Sequence, residues 1–379
     1  MAGTTRTKAA LYVGGLLGPF GGGVVAAMLP ELGASFAVSP GLAASTLTVY
    51  LLPFALIMLV AGPIAERWGL SRAIRVAYAV YVLAALLSVV APWFWLFQGS
   101  RVLQGAANAF TTPLLLTKLA AITPPNRLGR AVGTFGAMQA LGQTSAPLVG
   151  GLAAEASWRL AFLGIAVVAL ALTASPLPPD SGAGQTSIAT SMRDALRPRV
   201  QWPVGAAVLA GGCLAGTLFL VAFRVDDAFA VSPSLRGAVL TTYGIAGMLG
   251  ARLVGGFSDR FGPRAAVGGG LLLGGATLTG IALTESLPLL AAAWALAGLG
   301  TQLMLVGINT TALTGDHTGR SGAISVVTSA RFLGMAAAPA AFTGLYRHDP
   351  ALGFLLPAAL LVLAVPAVAA RWPPLSRAR

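Results

Sequence analysis

From Leu11 to Leu29 the chain carries no charged side chain, and stretches of this kind return along almost its whole length. As a helix, one such stretch spans about 30 Å, the thickness of a bilayer's hydrocarbon core. Apolar runs bounded by Pro, Gly and charge predict spans at 9–29, 42–61, 76–90, 94–116, 131–152 and 160–175, then at 203–223, 235–254, 265–283, 288–308, 321–345 and 352–370. Charged residues make up 9% of the 379, far fewer than the quarter or so that covers a soluble domain, and the mean hydropathy is +0.81. The expected fold is an all-α membrane protein of twelve transmembrane helices. The first apolar run is longer than a signal-peptide core and more runs follow it, so it is read as a retained helix.

A net charge of +13 would suggest nucleic acid in a soluble protein, but here the 24 Lys and Arg are sorted by loop. With an internal N-terminus, seventeen fall on internal segments and four, Arg159, Arg224, Arg236 and Arg347, on external ones. That asymmetry predicts a multi-pass protein of the cell membrane with both termini cytoplasmic, its charge facing the lipid bilayer surface and no nucleic acid partner. Arg101, Arg252 and Arg331 remain, inside predicted spans. One Cys, Cys213 in an apolar run, and two His, His317 and His348 in loops on opposite sides, predict no metal site, no disulfide and no cofactor.

The two halves of the sequence repeat. GPIAERWG at Gly62 returns as GGFSDRFG at Gly255, and LQGAANAF at Leu103 as LAGLGTQL at Leu296, both at a shift of 193. Gly142 to Pro147 returns as Gly334 to Pro339 at a shift of 192, and the Gly-Arg pair at Gly129 returns at Gly319. A nearly constant shift predicts two six-helix halves of the same orientation, residues 1–175 and 203–379. The linker, 176–202, opens on PLPPDSGAGQTS, a flexible composition, and ends on SMRDALRPRV, which suits a short basic helix on the membrane surface.

Three motifs carry chemistry. Gly62, Glu66, Arg67, Gly69 and Arg72, with Gly255, Asp259, Arg260, Gly262 and Arg264 in the other half, place an acid among glycines and cations at cytoplasmic helix ends. Such an acid can face a helix N-terminus or an Arg and latch one of two conformations; a solvated charged turn is the alternative. Arg101, Gln104 and Gly105 stand in RVLQG, far from either end of a span, where a cation costs about 3 kcal/mol unless it faces the interior. Gly142, Ala146 and Gly150 recur every four residues, with Pro147 and Gly151 beside them, and form a smooth ridge for close helix packing. Together these segments resemble the major facilitator superfamily, and within it the twelve-span drug:proton antiporters. Glu66 replaces the family's Asp, which Asp259 restores, and Ala146 replaces its Gly. The resemblance implies a major facilitator fold, a coupling role for Arg101 with a structural hub as the alternative, and antiport from the Gly142–Gly151 ridge.

The remaining polar residues of the spans, Tyr50, Asn108, Thr112, Gln139, Gln143, Tyr243, Gln302 and Asn309, are candidates for a central cavity, or else bridge helices. Arg331 has no carboxylate on its own helix and either binds an anion or meets carbonyls freed near Pro339. None of the eleven acids lies at mid-span, so a proton carrier would be Glu31, Asp226 or Asp227 near the external mouth, although each also reads as a solvated charge. The glycine triplets at Gly21 and Gly268 lack the Lys-Ser/Thr of a phosphate loop and read as packing sites. The expected function is export of a small-molecule substrate by a secondary transporter, with a proton as coupling partner and the monomer as working unit. Uptake of a metabolite is the runner-up. An intramembrane enzyme would need a buried acid–base constellation, and the His residues cannot form one.

Overall fold

The computed structural model describes residues 2–180, 198–313 and 320–372, and these fold without a strand. In chain order the helices are α1 (Ala2–Gly23), α2 (Leu29–Phe36), α3 (Pro40–Trp68), α4 (Leu70–Val90), α5 (Phe94–Ala121), α6 (Pro125–Ala156) and α7 (Arg159–Thr173). Then come α8 (Pro198–Leu209), α9 (Leu218–Phe229), α10 (Pro233–Phe261), α11 (Pro263–Leu283), α12 (Leu287–Leu313), α13 (Arg320–His348) and α14 (Pro350–Arg371). Among the described residues nine helical stretches are long and apolar enough to cross a membrane. The short apolar α7 is not among them, nor are α5 and α6, which are as long but less apolar. The polar groups that dilute α5 turn inward: Gln98, Ser100, Arg101, Gln104, Asn108, Thr111 and Lys118 are all buried.

The chain divides into two compact units, Met1–Thr186 with Ser232–Gly237, and Ser187–Val231 with Ala238–Arg379. This departs from the expected boundaries in two places. Helix α8 starts at Pro198, inside the segment read as linker, and the first turn of α10 groups with the first unit. The SMRDALRPRV reading falls mostly outside the described residues.

In the first unit, α1 ends at the Gly21–Gly23 triplet, and a 3-10 turn at Ala26–Met28 leads into α2. In the second unit, α8 passes through a π-helical segment, Ala210–Leu214, and a 3-10 turn, Ala215–Thr217, into α9. Each broken rod ends on an alanine in the left-handed region, Ala37 (φ 51°) and Ala230 (φ 46°). Gly69 (φ 88°) and Gly262 (φ 84°) are the single residues joining α3 to α4 and α10 to α11. Positive φ suits glycine, which has no Cβ to clash.

Inside each unit the same close approaches occur. A Cβ on Gly105 would lie 2.0 Å from the Tyr50 carbonyl oxygen, and a Cβ on Gly298 would lie 2.0 Å from that of Tyr243. Gly142 stands in the same way against the Leu16 carbonyl oxygen (2.2 Å), and Gly334 against that of Val208 (2.3 Å). Only glycine lets two helix backbones come this near.

Candidate functional site

In the first unit a cluster of buried polar groups forms around Arg101, which has no exposed surface. One terminal nitrogen of its guanidinium donates to Gln104 Oε1 at 2.6 Å and to the Gly21 carbonyl at 3.1 Å. The guanidinium carbon lies 4.3 Å from the Tyr50 ring centre and 5.7 Å from that of Phe162. Gln104 passes the network on by donating to Ser88 Oγ (2.9 Å), which pairs with Ser100 Oγ (2.6 Å). Tyr50 donates to the Gly18 carbonyl (3.0 Å). No carboxylate joins the cluster among the described residues, and Nε and the second terminal nitrogen of Arg101 are buried without a partner. The charge is held by a neutral amide, one carbonyl and two aromatic faces, an arrangement that leaves donors to spare.

The glycine triplet before the turn makes this possible. A Cβ on Gly21 would sit 1.9 Å from the Tyr81 hydroxyl. At the second triplet Gly268 touches nothing, and it is Gly270 that packs, against the Gly300 carbonyl at 2.5 Å. The ridge on α6 lies against the same broken rod: Gly142 meets Leu16, Ala146 meets Gly23 and Gly150 meets the Val24 carbonyl (2.2 Å). Gly151 packs on the Pro233 carbonyl, and the Pro147 carbonyl on Gly237, both in the segment that groups with this unit.

Of the other cavity candidates, Asn108 is buried and accepts from Thr111 and Thr112, both at 3.1 Å. Gln139 is half-buried, whereas Gln143 and Asn309 are exposed. Gln302 makes only a long contact, 3.4 Å, to the Gly247 carbonyl. Tyr243 stacks on the buried Trp294 with centroids 4.6 Å apart and donates to Thr301 at 2.7 Å. Arg331, half-buried on α13, makes no hydrogen bond to any described residue, so the carbonyls near Pro339 are not its partners.

The three acids expected near the external mouth differ. Glu31, in the first turn of α2, forms an ion pair with Arg236, a fully buried cation that also donates to the Ala27 carbonyl at 2.7 Å. The neighbouring Glu155 accepts from the Ser234 backbone N–H at 3.1 Å. Asp226 and Asp227 lie inside α9 and not in a loop after it, and Asp227 accepts from the Tyr346 hydroxyl at 2.7 Å. Glu31 is thus held in an ion pair, whereas Asp227 stays exposed with one hydrogen bond.

At the other end of the spans, Glu66 is half-buried and Asp259 exposed, and neither forms an ion pair among the described residues. Arg67, Arg72 and Arg264 are exposed, and Arg260 lies over the Phe261 ring at 5.2 Å. Arg252 is exposed and unpaired with Asp259. The acid that reaches the Gly69 turn is Asp180. It accepts from the Ser71 backbone N–H (3.0 Å) and hydroxyl (2.8 Å) and pairs with Lys118, whose side chain is 2% exposed. Lys118 also donates to the carbonyls of Pro178 (2.7 Å) and Pro179 (3.0 Å). The hydrogen bond from Lys118, then those from Ser71, hold the Asp180 carboxyl below the usual carboxylate range. The opening of the linker, read as flexible, is thus pinned through Asp180. Sequence reasoning missed Lys118, Asp180 and Arg236 as partners because charge sorting places each in a loop and says nothing of its contacts.

Comparison with known proteins agrees with the motifs. The chain is 34% identical over 151 residues to the multidrug resistance protein B homolog of Mycobacterium tuberculosis, covering 39% of this chain and 28% of that protein. It thus spans well under two thirds of that relative's length. Against EfpA, an uncharacterized MFS-type transporter of the same organism, it is 25% identical, covering 84% of this chain and 73% of the relative. A bacterial homolog of the human lysosomal transporter Spinster, solved inward-facing and unoccupied, superposes with a TM-score of 0.76 at 19% identity, covering 97% of this chain and 96% of that one. The Major Facilitator Superfamily profile matches residues 11–227 and 217–379, and with nearly the whole length so covered the chain belongs to that superfamily.

Proposed function

We propose that the chain is a secondary transporter that exports small amphipathic molecules by alternating access, built as twelve spans in two six-helix halves. The matched close approaches of Gly105 on Tyr50 and Gly298 on Tyr243, at the 193-residue shift, support two equivalent halves. The observation that supports the transport reading is Arg101, a buried guanidinium with spare donors set against an interrupted helix, and our reading is that a change of conformation gives those donors a partner. Export is favoured over uptake by the name of the multidrug resistance relative and by the Gly142–Gly151 ridge. Efflux in a host depleted of its own exporters tests the reading. Wild type should lower the accumulation of at least one amphipathic compound, and correctly inserted Arg101→Ala should not. Higher accumulation in cells carrying the wild type would make it an uptake permease.

Coupling is to protons, with Glu31 the foremost carrier and Asp226 and Asp227 behind it. Proteoliposome flux with and without an imposed pH gradient tests this, and gradient-independent export would remove it. Both termini and the linker are cytoplasmic, the working unit is a monomer in the cell membrane, and Glu66 and Asp259 latch a conformation other than the one described. External labelling of a Cys placed at residue 187 in intact cells would overturn the topology.

A further inference from the structure

Arg331 and Arg101 are both cations inside helices with no carboxylate partner among the described residues, but they are not equivalent. Arg101 spends its charge on Gln104, the Gly21 carbonyl and two ring faces. Arg331 makes no hydrogen bond among the described residues. Its Nε is shut off from solvent and unpartnered, and its one close aromatic neighbour is the adjacent Phe332, at 4.7 Å from the ring centre. Its place in the first half, at the 192-residue shift, is taken by the neutral Gln139, so the repeat itself does not require a cation there.

Among the described residues the second unit offers no mid-helix acid to answer it. Asp226 and Asp227 lie at the end of α9, Asp259 at the end of α10, Glu285 in the turn before α12 and Asp349 at the N-cap of α14. The Arg331 backbone packs on an irregular stretch of helix, and the ring of Phe332 lies beside the guanidinium. A Cβ on Gly211 would lie 1.9 Å from the Arg331 carbonyl oxygen, which sets the π-helical segment Ala210–Leu214 directly against the backbone of α13 at Arg331. π-Helical segments of this sort recur at functional positions in helices. Tyr243, half-buried and stacked on Trp294, lies within electrostatic range of the guanidinium. A planar fork of N–H donors with aromatic faces nearby suits a two-oxygen anion on an aromatic body.

We propose that Arg331 anchors the oxyanion of the transported molecule, and that the substrates are amphipathic monoanions, a carboxylate or sulfonate on an aromatic or alicyclic frame. This rests on the transporter reading above for movement, but the binding site can be tested without any flux.

The full-length protein in phosphatidylcholine nanodiscs is titrated with 2-naphthalenesulfonate and with the ring-matched naphthylmethylammonium. The sulfonate should bind wild type at least about tenfold more tightly than the ammonium. Arg331→Met and Arg331→Gln should erase that preference, and Arg331→Lys should keep most of it. Equal or tighter binding of the ammonium, or a preference undiminished in Arg331→Met, overturns the proposal. Should the neutral variants not fold, wild-type selectivity and the Lys variant decide in the same way. Competition by added phosphatidylglycerol would place a lipid headgroup on the same oxyanion site. Loss of the preference with export of a neutral compound intact removes this site and leaves the transporter. The preference without flux of any compound does the reverse.

Discussion

The carboxylate of Asp180 takes both the backbone N–H of Ser71, at 3.0 Å, and its hydroxyl, at 2.8 Å, so the root of the linker caps the helix that follows the Gly69 turn. An anion at a helix N-terminus meets the unpaired donors and the positive end of the dipole. The buried Lys118 completes the contact from α5.

Asp180→Asn should therefore weaken the first unit, and do so in a pH-dependent way. The folded carboxyl lies below its unfolded value, so its contribution is complete above the ordinary Asp value of about 3.9 and is lost as pH falls through the lower folded value. The Asp180 side chain is 42% exposed, which holds the loss to about 1 kcal/mol or less. Thermal unfolding of both proteins at neutral pH and near pH 3 is the check. The gap between them should narrow in acid, and a gap that widens would contradict the lowered carboxyl.

Glu31 and Arg236 should be coupled energetically. Arg236 has no exposed surface, and stripping the partner from a buried ion costs about 3–5 kcal/mol. Glu31→Ala and Arg236→Met should each lower stability, and the double variant should be less damaged than the sum by about 1–3 kcal/mol. Additive losses in a thermal double-mutant cycle would mean that the pair contributes nothing of its own.

Gly105→Ala and Gly298→Ala should both be severe, since each new methyl would meet a backbone oxygen at 2.0 Å that no rotamer change can move. A loss of about 3 kcal/mol or failure to insert is expected for each. Gly133, whose Cβ would touch nothing within 4 Å, is the control, and Gly133→Ala should be neutral or stabilising by up to about 1 kcal/mol. Expression and detergent melting of the three variants settle it. Tolerance of one position and not the other would break the equivalence of the two halves.

Asp259→Asn and Glu66→Gln should slow transport while leaving folding intact, because neither acid has an ion-pair partner to lose in the conformation described. Flux measured beside size-exclusion profiles is the test. A fall in stability without a fall in rate would assign them to structure.

The sequence was legible where spacing carries a geometric meaning. The four-residue recurrence of Gly142, Ala146 and Gly150 implies a ridge, and the ridge lies on α1 and the turn after it. Arg101 reads as interior because hydrocarbon would not tolerate it, and it is wholly buried. Contacts between charges far apart in sequence were not legible. Glu31 and Arg236 are 205 residues apart, and nothing in either neighbourhood distinguishes a paired charge from a solvated one. Lys118 sorts by topology as a loop cation, although it closes the last turn of α5. The helix count fell short for a related reason. Buried polar groups lower the apolarity of α5, so a signal that measures affinity for lipid weakens in a helix that faces protein.

The one-residue joints at Gly69 and Gly262 leave almost no slack between long rods. Helix α3, of 29 residues, passes into α4, of 21, through a single glycine, and α10, of 29, passes into α11, of 21, in the same manner. A longer loop would absorb a tilt of one rod by flexing, whereas here the tilt must reach the next rod within one peptide unit. Each pair therefore acts as a stiff lever with its fulcrum at the end of the span, and lengthening either joint by two or three flexible residues would uncouple the strokes of its two arms while leaving each arm folded.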